Sequence, residues 1–259
     1  MTLQHDHMAR CSGCGTCVDV CPRYDDPYII QHLYDFLDEI VREPQIDIRR
    51  CLTCGLCNSA CPEGLGIKGL IHASRQKTIR LAGNTPGKEM SDPGSENNIF
   101  RRFRMQKMPC TFKREGADAE LLFFPGCSGT CFFQGMPKAM EALLEQAGID
   151  YSVMSGVDAC CGAVANGIGN TEILERAARK NSEEMKKRGV KTIITTCPAC
   201  LMAFKSLYPE FVDMDFEIYQ AAQYLMKLVD EQKLKPGKTA STVFYHDPCH
   251  LARGMGVYQ

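Results

Sequence analysis

A cysteine run of the form C-x2-C-x2-C-x3-C-P occurs twice early in the chain, at Cys11, Cys14, Cys17 and Cys21 before Pro22 and again at Cys51, Cys54, Cys57 and Cys61 before Pro62. Three closely spaced thiolates take three corners of a [4Fe-4S] cube, and the fourth cysteine of each run ligates the other cluster. The pattern assigns Cys11, Cys14, Cys17 and Cys61 to one cubane and Cys51, Cys54, Cys57 and Cys21 to its neighbour. Gly13, Gly15 and Gly55 let the backbone fold tightly around such a cube and aim N–H groups at its sulfurs. Two independent matches make a zinc or disulfide reading remote.

The 29 residues from Pro22 to Arg50 separate the runs. Ile29, Ile30, Leu33, Leu37, Ile40 and Val41 recur at helical spacing, which predicts a helix from about Pro27 to Arg42, stopped before Pro44. A second helix is expected from Gly66 to Leu81. Residues 1–81 therefore read as a helical ferredoxin domain with two clusters. Residues 82–117, rich in Gly, Pro, Ser and charge, read as a linker. Its basic end, Arg101, Arg102, Arg104 and Lys107 with Phe100 and Phe103, suits either partner docking or, preferably, a solvated face. Cys110 stands alone there and reads as structural or incidental.

The second half carries Cys127, then the adjacent pair Cys160 and Cys161 before Gly162, then Cys197 and Cys200, a C-x32-CC-x35-CxxC pattern. Soft thiolates brought in by three separate loops suit a metal or iron–sulfur site. A vicinal pair within a set of five fits a simple structural zinc site poorly, though that reading stays open as the weakest. From Glu120 onward strands and helices alternate. Leu121 to Phe124, Tyr151 to Met154, Lys191 to Thr196 and Thr242 to Tyr245 read as strands. One helix starts near Pro137 and stops at Gly148. Another is capped by Asn170, carries Ile173, Leu174, Ala177, Ala178 and Met185 on one face, and ends at Gly189. Alternation implies a parallel sheet, and ligands bind outside the carboxyl ends of its strands, where every cysteine group falls. The expected fold class is α+β overall, with residues 118–259 forming a parallel α/β domain.

Sixteen cysteines in 259 residues would suit secretion, but the N-terminus has no apolar leader and the chain is long for a disulfide-stapled miniprotein. A reducing, cytoplasmic setting is expected. The net charge of −1 points away from nucleic acid, and no apolar run reaches membrane-spanning length, so membrane contact is expected only through a partner.

On these motifs the chain resembles the cysteine-rich CCG family, which includes the D-type subunit of heterodisulfide reductase and the iron–sulfur subunits of glycolate oxidase, lactate-utilisation and anaerobic glycerol-3-phosphate dehydrogenase systems. The resemblance implies that Cys127, Cys160, Cys161, Cys197 and Cys200 hold a non-cubane [4Fe-4S] cluster. In disulfide-reducing members such clusters attack CoM-S-S-CoB, which makes Cys160 and Cys161 the expected catalytic pair. The family pattern also carries a second motif that opens like Tyr245 to Leu251. Here the chain stops ten residues after Cys249, so the expectation is a fragment lacking the second CCG half, or a second site that is completed elsewhere or absent.

His246 and His250 flank Cys249 and read as hydrogen-bonded structural groups rather than proton donors. Cys131 reads as an ordinary buried cysteine. His5 and His7 fall in a frayed terminus. The GAVANGIG stretch at 162–169 lacks nucleotide-binding order. With no flavin or nicotinamide fingerprint, the chain reads as a redox-complex subunit whose partners are of the flavoprotein or cytochrome b type. Two expectations stand: an oxidoreductase subunit that feeds a disulfide-reducing cluster, or a wire from a flavin dehydrogenase to a quinone or cytochrome.

Overall fold

A computed structural model describes residues 10–82, 92, 95, 96, 98, 111–155 and 159–258. His5, His7, Cys110 and the basic stretch 100–107 lie outside the described residues. Two compact units are present. The first draws on Met1–Lys88, Val164–Thr171 and Cys249–Gln259, and the second on Glu89–Ala163 and Glu172–Pro248. The chain thus returns twice to its first unit, whereas the sequence pattern suggests a linear division at 82–117.

The first unit is helical. Two short helices, α1 (Thr16–Asp19) and α3 (Leu56–Ala60), repeat each other, each entered through a glycine in the left-handed region, Gly15 at φ 76° and Gly55 at φ 73°. The repeat extends one step further back. Gly13 (φ 68°) and Thr53 (φ 54°) occupy the same place in their runs, so a β-branched residue holds a conformation its counterpart leaves to glycine. Between the repeats lies α2 (Ile29–Leu37), and α4 (Ile67–Ala82) follows the second. Their apolar faces bury Ile29, Ile30, Leu33, Ile67, Leu70 and Ile71 with Tyr24, Tyr34, Ile46 and Ile48, and six of the cysteines pack on this core.

Helix α2 is shorter than its apolar spacing suggests. Glu39 adopts φ 65°, which ends the helical path, and Ile40 is 70% exposed. Lys77 on α4 closes that end, its Nζ donating to the carbonyls of Phe36 (2.6 Å) and Leu37 (3.2 Å). A lysine satisfying the last carbonyls also complements the negative end of the helix dipole.

The second unit is built on a parallel sheet of order β2-β1-β3-β4, with β1 Leu121–Phe124, β2 Ser152–Val153, β3 Thr192–Thr195 and β4 Glu217–Gln220. β1 is buried along its whole length, as a central strand covered on both faces must be. Helices α5 (Gly126–Cys131), α6 (Gly135–Gln146), α8 (Thr171–Lys187), α9 (Pro198–Met202) and α10 (Ala221–Asp230) belong to this unit, while α7 (Ala163–Gly167) and α11 (Ala252–Met255) fall in the two segments that return to the first. The core joins Phe123, Val153 and Ile194 to Met140 and Leu144 of α6 and Tyr224 and Leu228 of α10.

One expected strand needs correction, and one strand escaped the sequence reading. Thr242–Tyr245 forms no strand: Val243 and Phe244 are 81% and 95% exposed, and the edge beside β3 is occupied by β4. β4 escapes a hydrophobic reading because only one of its residues, Ile218, is buried. The tail of the expected linker is also ordered. Glu115 bridges to Val153, and backbone bonds join Gly116 N to Val153 O and Val153 N to Arg114 O. The architecture is nevertheless the expected one, a helical ferredoxin module and a parallel α/β domain.

Candidate metal centres

In the first unit the eight cysteines of the repeated runs line two cavities. One is walled by Cys11, Cys14, Cys17 and Cys61 together with Tyr28, Ile30 and Glu63. The other is walled by Cys21, Cys51, Cys54 and Cys57, with Cys17 at its margin and Arg23, Tyr24 and Lys68 around it. The fourth cysteine of each run therefore sits with the first three of the other. Backbone N–H groups face the sulfurs: Thr53 N to Cys51 Sγ at 3.3 Å and Leu65 N to Cys61 Sγ at 3.5 Å. Burial and the charge of Cys51 push the Cys57 thiol up to about 11.

In the second unit the strand ends deliver the other five. The sheet order reverses direction between β1 and β3, which makes their carboxyl ends the topological switch point. Cys127 follows β1 on α5, Cys160 and Cys161 follow β2, and Cys197 and Cys200 open α9 directly after β3. Among the described residues no three His, Cys, Asp or Glu side chains are gathered as around a single metal ion. The thiols are linked by hydrogen bonds instead, Cys127 with Cys160, and Cys200 with both Cys161 and Cys197. Cys200 Sγ donates to Cys161 Sγ at 3.2 Å. A hydrogen bond with Cys160, followed by burial, drives the Cys127 thiol upward, and the same bond holds Cys160 down with help from Gly162 N at 3.4 Å. Hydrogen bonding from Cys200 lowers Cys197 to about 6, with backbone N–H groups of Cys200 and Ala199 assisting against burial. Bonds to Cys161 and Cys197 leave the proton on Cys200. Without a metal this thiol set keeps protons on Cys127 and Cys200, and positive charge there would displace them.

Two glycines make this gathering possible. Gly126, at φ 73°, would place a Cβ 3.0 Å from Cys200 Sγ; a side chain there would crowd the sulfur. Gly162, at φ 76°, would place one 2.9 Å from Leu174 Cα on α8. Behind the site, the buried Asn181 donates from Nδ2 to Cys160 O (3.0 Å) and to Tyr208 Oη (2.8 Å). Tyr208 sits where α9 loosens into a wider turn over Ala203–Leu207, and burial followed by the Cys161 charge pushes its hydroxyl well up. Neither Asn181 nor Tyr208 is visible as a site residue in the sequence, since each looks like ordinary helix filling.

The remaining candidates are placed as follows. Cys131, one turn from Cys127 on α5, packs against Cys127 and Cys160 and is half-buried rather than an ordinary core cysteine. Cys249 belongs to the first unit, where its Sγ accepts from Arg253 Nη2 at 3.0 Å while Arg253 Nε donates to Cys54 O at 2.9 Å. His246 is exposed; His250 is half-buried, and burial followed by the charge of Lys68 lowers it. Residues 164–171, the end of the GAVANGIG stretch and the two residues after it, pack on α4. His72 Nε2 lies 2.8 Å from Asn166 O, Arg75 Nη1 donates to Gly167 O at 2.6 Å, and Gln76 Nε2 to Thr171 Oγ1 at 2.7 Å.

Known families match both cysteine regions: a 4Fe-4S dicluster domain over residues 10–65 and a cysteine-rich domain over residues 121–205. The D-type subunit of the dihydromethanophenazine:CoB–CoM heterodisulfide reductase of Methanosarcina mazei is 27% identical over 99% of this chain and 72% of its own length. The chain is similar to this D-type subunit along nearly its whole length. It is also similar to the EtfAB:quinone oxidoreductase of Syntrophomonas wolfei (28% identical, 80% of this chain, 31% of that protein) and to the B-type subunit of the fumarate reductase (CoM/CoB) of Methanothermobacter marburgensis (27%, 95% and 52%). No solved structure matches it. This is an iron–sulfur chain of the oxidoreductase-subunit type. The paired thiols and converging N–H donors fit such centres, since thiolate ligands and hydrogen bonds to sulfur are what clusters require. No helix among the described residues is long and apolar enough to cross a membrane.

Proposed function

We propose that this subunit of a heterodisulfide-reductase-like complex relays single electrons through two [4Fe-4S] cubanes to a non-cubane [4Fe-4S] cluster, where a disulfide such as CoM-S-S-CoB is reduced. Cys11, Cys14, Cys17 and Cys61 would hold one cubane, Cys51, Cys54, Cys57 and Cys21 the other, and Cys127, Cys160, Cys161, Cys197 and Cys200 the third centre. The observation that carries the reading is the convergence of three loops at the β1/β3 switch point, with sulfurs as close as 3.2 Å. When bound, the clusters supply one-electron steps, and two such electrons convert a disulfide to two thiolates.

The chain's residues supply the rest. Gly126 gives the thiols room, Gly162 lets the paired-cysteine loop lie against α8, and Asn181 fixes the Cys160 carbonyl. The electron donor would be a partner of the flavoprotein or cytochrome b type, with the protein lying on the cytoplasmic side of any membrane partner. The similarity to a protein whose name pairs EtfAB with a quinone favours a second reading. In it the same clusters form a wire between a flavin dehydrogenase and a quinone or cytochrome.

The test is an iron and acid-labile sulfide count on anaerobically prepared protein, read with its EPR spectrum before and after disulfide is added. Roughly twelve irons per chain and a disulfide-responsive signal support the reductase reading. A loaded third centre that ignores disulfide supports the wire, and roughly eight irons with only cubane signals would overturn the third centre.

A further inference from the structure

The two cysteine cavities come from one repeated motif, yet their electrostatic surroundings are unequal. Around Cys21, Cys51, Cys54 and Cys57 the wall includes Arg23 and Lys68. Two further guanidinium groups bind the backbone of the ligand loop itself: Arg75 Nη2 donates to Cys51 O at 2.7 Å, and Arg253 Nε to Cys54 O at 2.9 Å. The cavity around Cys11, Cys14, Cys17 and Cys61 is walled by Glu63 and, among the described residues, by no cation. Its nearest counterpart, Arg10, is exposed and donates to Glu63 O at 2.6 Å.

Arg75 is the most telling of these groups. It is only 8% exposed, and its donors go to the carbonyls of Ile48, Arg49, Cys51 and Gly167. No carboxylate pairs with it among the described residues; nearby Asp47 is engaged by Arg49. A buried guanidinium is costly unless an opposite charge compensates it, and carbonyl dipoles supply only part of that compensation. An anionic centre on Cys51, Cys54, Cys57 and Cys21 would supply the remainder. Reduction adds one negative charge to such a centre, and buried cations favour the reduced state.

We infer that Arg75, supported by Arg253, raises the reduction potential of the centre held by Cys51, Cys54, Cys57 and Cys21 above that of its twin, so that an electron entering the first unit comes to rest there. Arg75 and Arg253 are positioning residues for charge, without contact to substrate. The inference rests on the two-cubane part of the proposed function and is independent of whether a disulfide or a quinone lies downstream.

The test is a potentiometric titration of the anaerobic full chain, monitored by the EPR signals of the reduced cubanes, in wild type, Arg75→Gln, Arg75→Lys and Arg253→Gln. Wild type is expected to show two separated one-electron steps. Arg75→Gln should lower the higher step by about 59 mV, a tenfold change in electron share for a one-electron couple, and leave the lower step in place. Arg253→Gln should move the same step in the same direction. Arg75→Lys, which keeps the charge and loses the fork, should retain most of the potential, an outcome a purely structural role would not give.

Coincident steps in wild type, unmoved steps in both neutral variants, or movement of the lower step would overturn the inference. Should Arg75→Gln fail to load its iron, Arg253→Gln and Arg75→Lys decide alone. Absence of cubane iron from wild type would instead overturn the proposed function.

Discussion

Replacing Gly162 with alanine tests why a glycine follows the paired cysteines. At φ 76° an L-residue costs about 1–2 kcal/mol. The added Cβ would also lie 2.9 Å from Leu174 Cα and 3.3 Å from both Ala177 Cβ and Leu174 Cδ1. Because the closest atom is helix backbone, α8 or the cysteine loop must shift, and overpacking of this kind costs about 1–3 kcal/mol. The expected total is about 2–5 kcal/mol. Gly189→Ala supplies the comparison, since Gly189 has φ 68° and an alanine Cβ there would meet nothing within 4 Å, leaving only the backbone cost of about 1–2 kcal/mol. Anaerobic urea unfolding of both variants, compared by midpoint at matched slope, isolates the steric part. Iron analysis of Gly162→Ala should show roughly four irons lost per chain with the cubane signals kept. Equal destabilisation by the two substitutions, with full iron in both, would refute the argument that close packing on α8 demands this glycine.

Three other outcomes are expected. Cys161→Ala should remove the third centre and leave roughly eight irons; loss of all iron would contradict separate sites in the two units. Cys21→Ala should diminish the same EPR signal that Cys54→Ala diminishes; if it instead matches Cys14→Ala, the exchange of fourth ligands is wrong. Asn181→Ala leaves the buried Cys160 carbonyl and Tyr208 hydroxyl without their shared donor, a loss of about 1–3 kcal/mol that urea unfolding would detect and that an unchanged midpoint would refute.

The cysteine spacings, together with the strand boundaries around them, made both candidate sites legible, because ligand spacing is a local property of the chain. Cys127, Cys160 and Cys197 indeed follow β1, β2 and β3. Pattern failed where neighbours decide. Ile40 fits an apolar stripe, but a left-handed Glu39 turns it into solvent. Thr242–Tyr245 has strand composition but stays exposed and pairs with no strand, the position beside β3 being taken by β4, which is half-exposed and short and carries little alternation. Gln220 and Gln223 form the capping box at the start of α10 that ends β4, but a glutamine N-cap falls outside the usual Ser, Thr, Asp or Asn signature and so left no signal in the sequence. Arg75, Arg253, Asn181 and Tyr208 act through carbonyls and hydroxyls distant in sequence, and no periodicity reports such partners. The division into units was hidden for the same reason, since Val164–Thr171 and Cys249–Gln259 rejoin the first unit by long-range contacts.

Gly169 shows what that return demands. With φ 98° and an alanine Cβ that would fall 2.5 Å from the Arg75 carbonyl carbon, the chain there lies backbone against backbone on α4. A gene cut at the linker would therefore not yield a self-sufficient ferredoxin. The excised fragment would keep every cubane cysteine but expose the groove that Gly169 fills, strip Arg75 of its Gly167 acceptor, and lose the arginine that holds the Cys54 carbonyl. For this protein the smallest piece that preserves the electrostatic setting of its cubanes is longer than the piece that encodes their ligands.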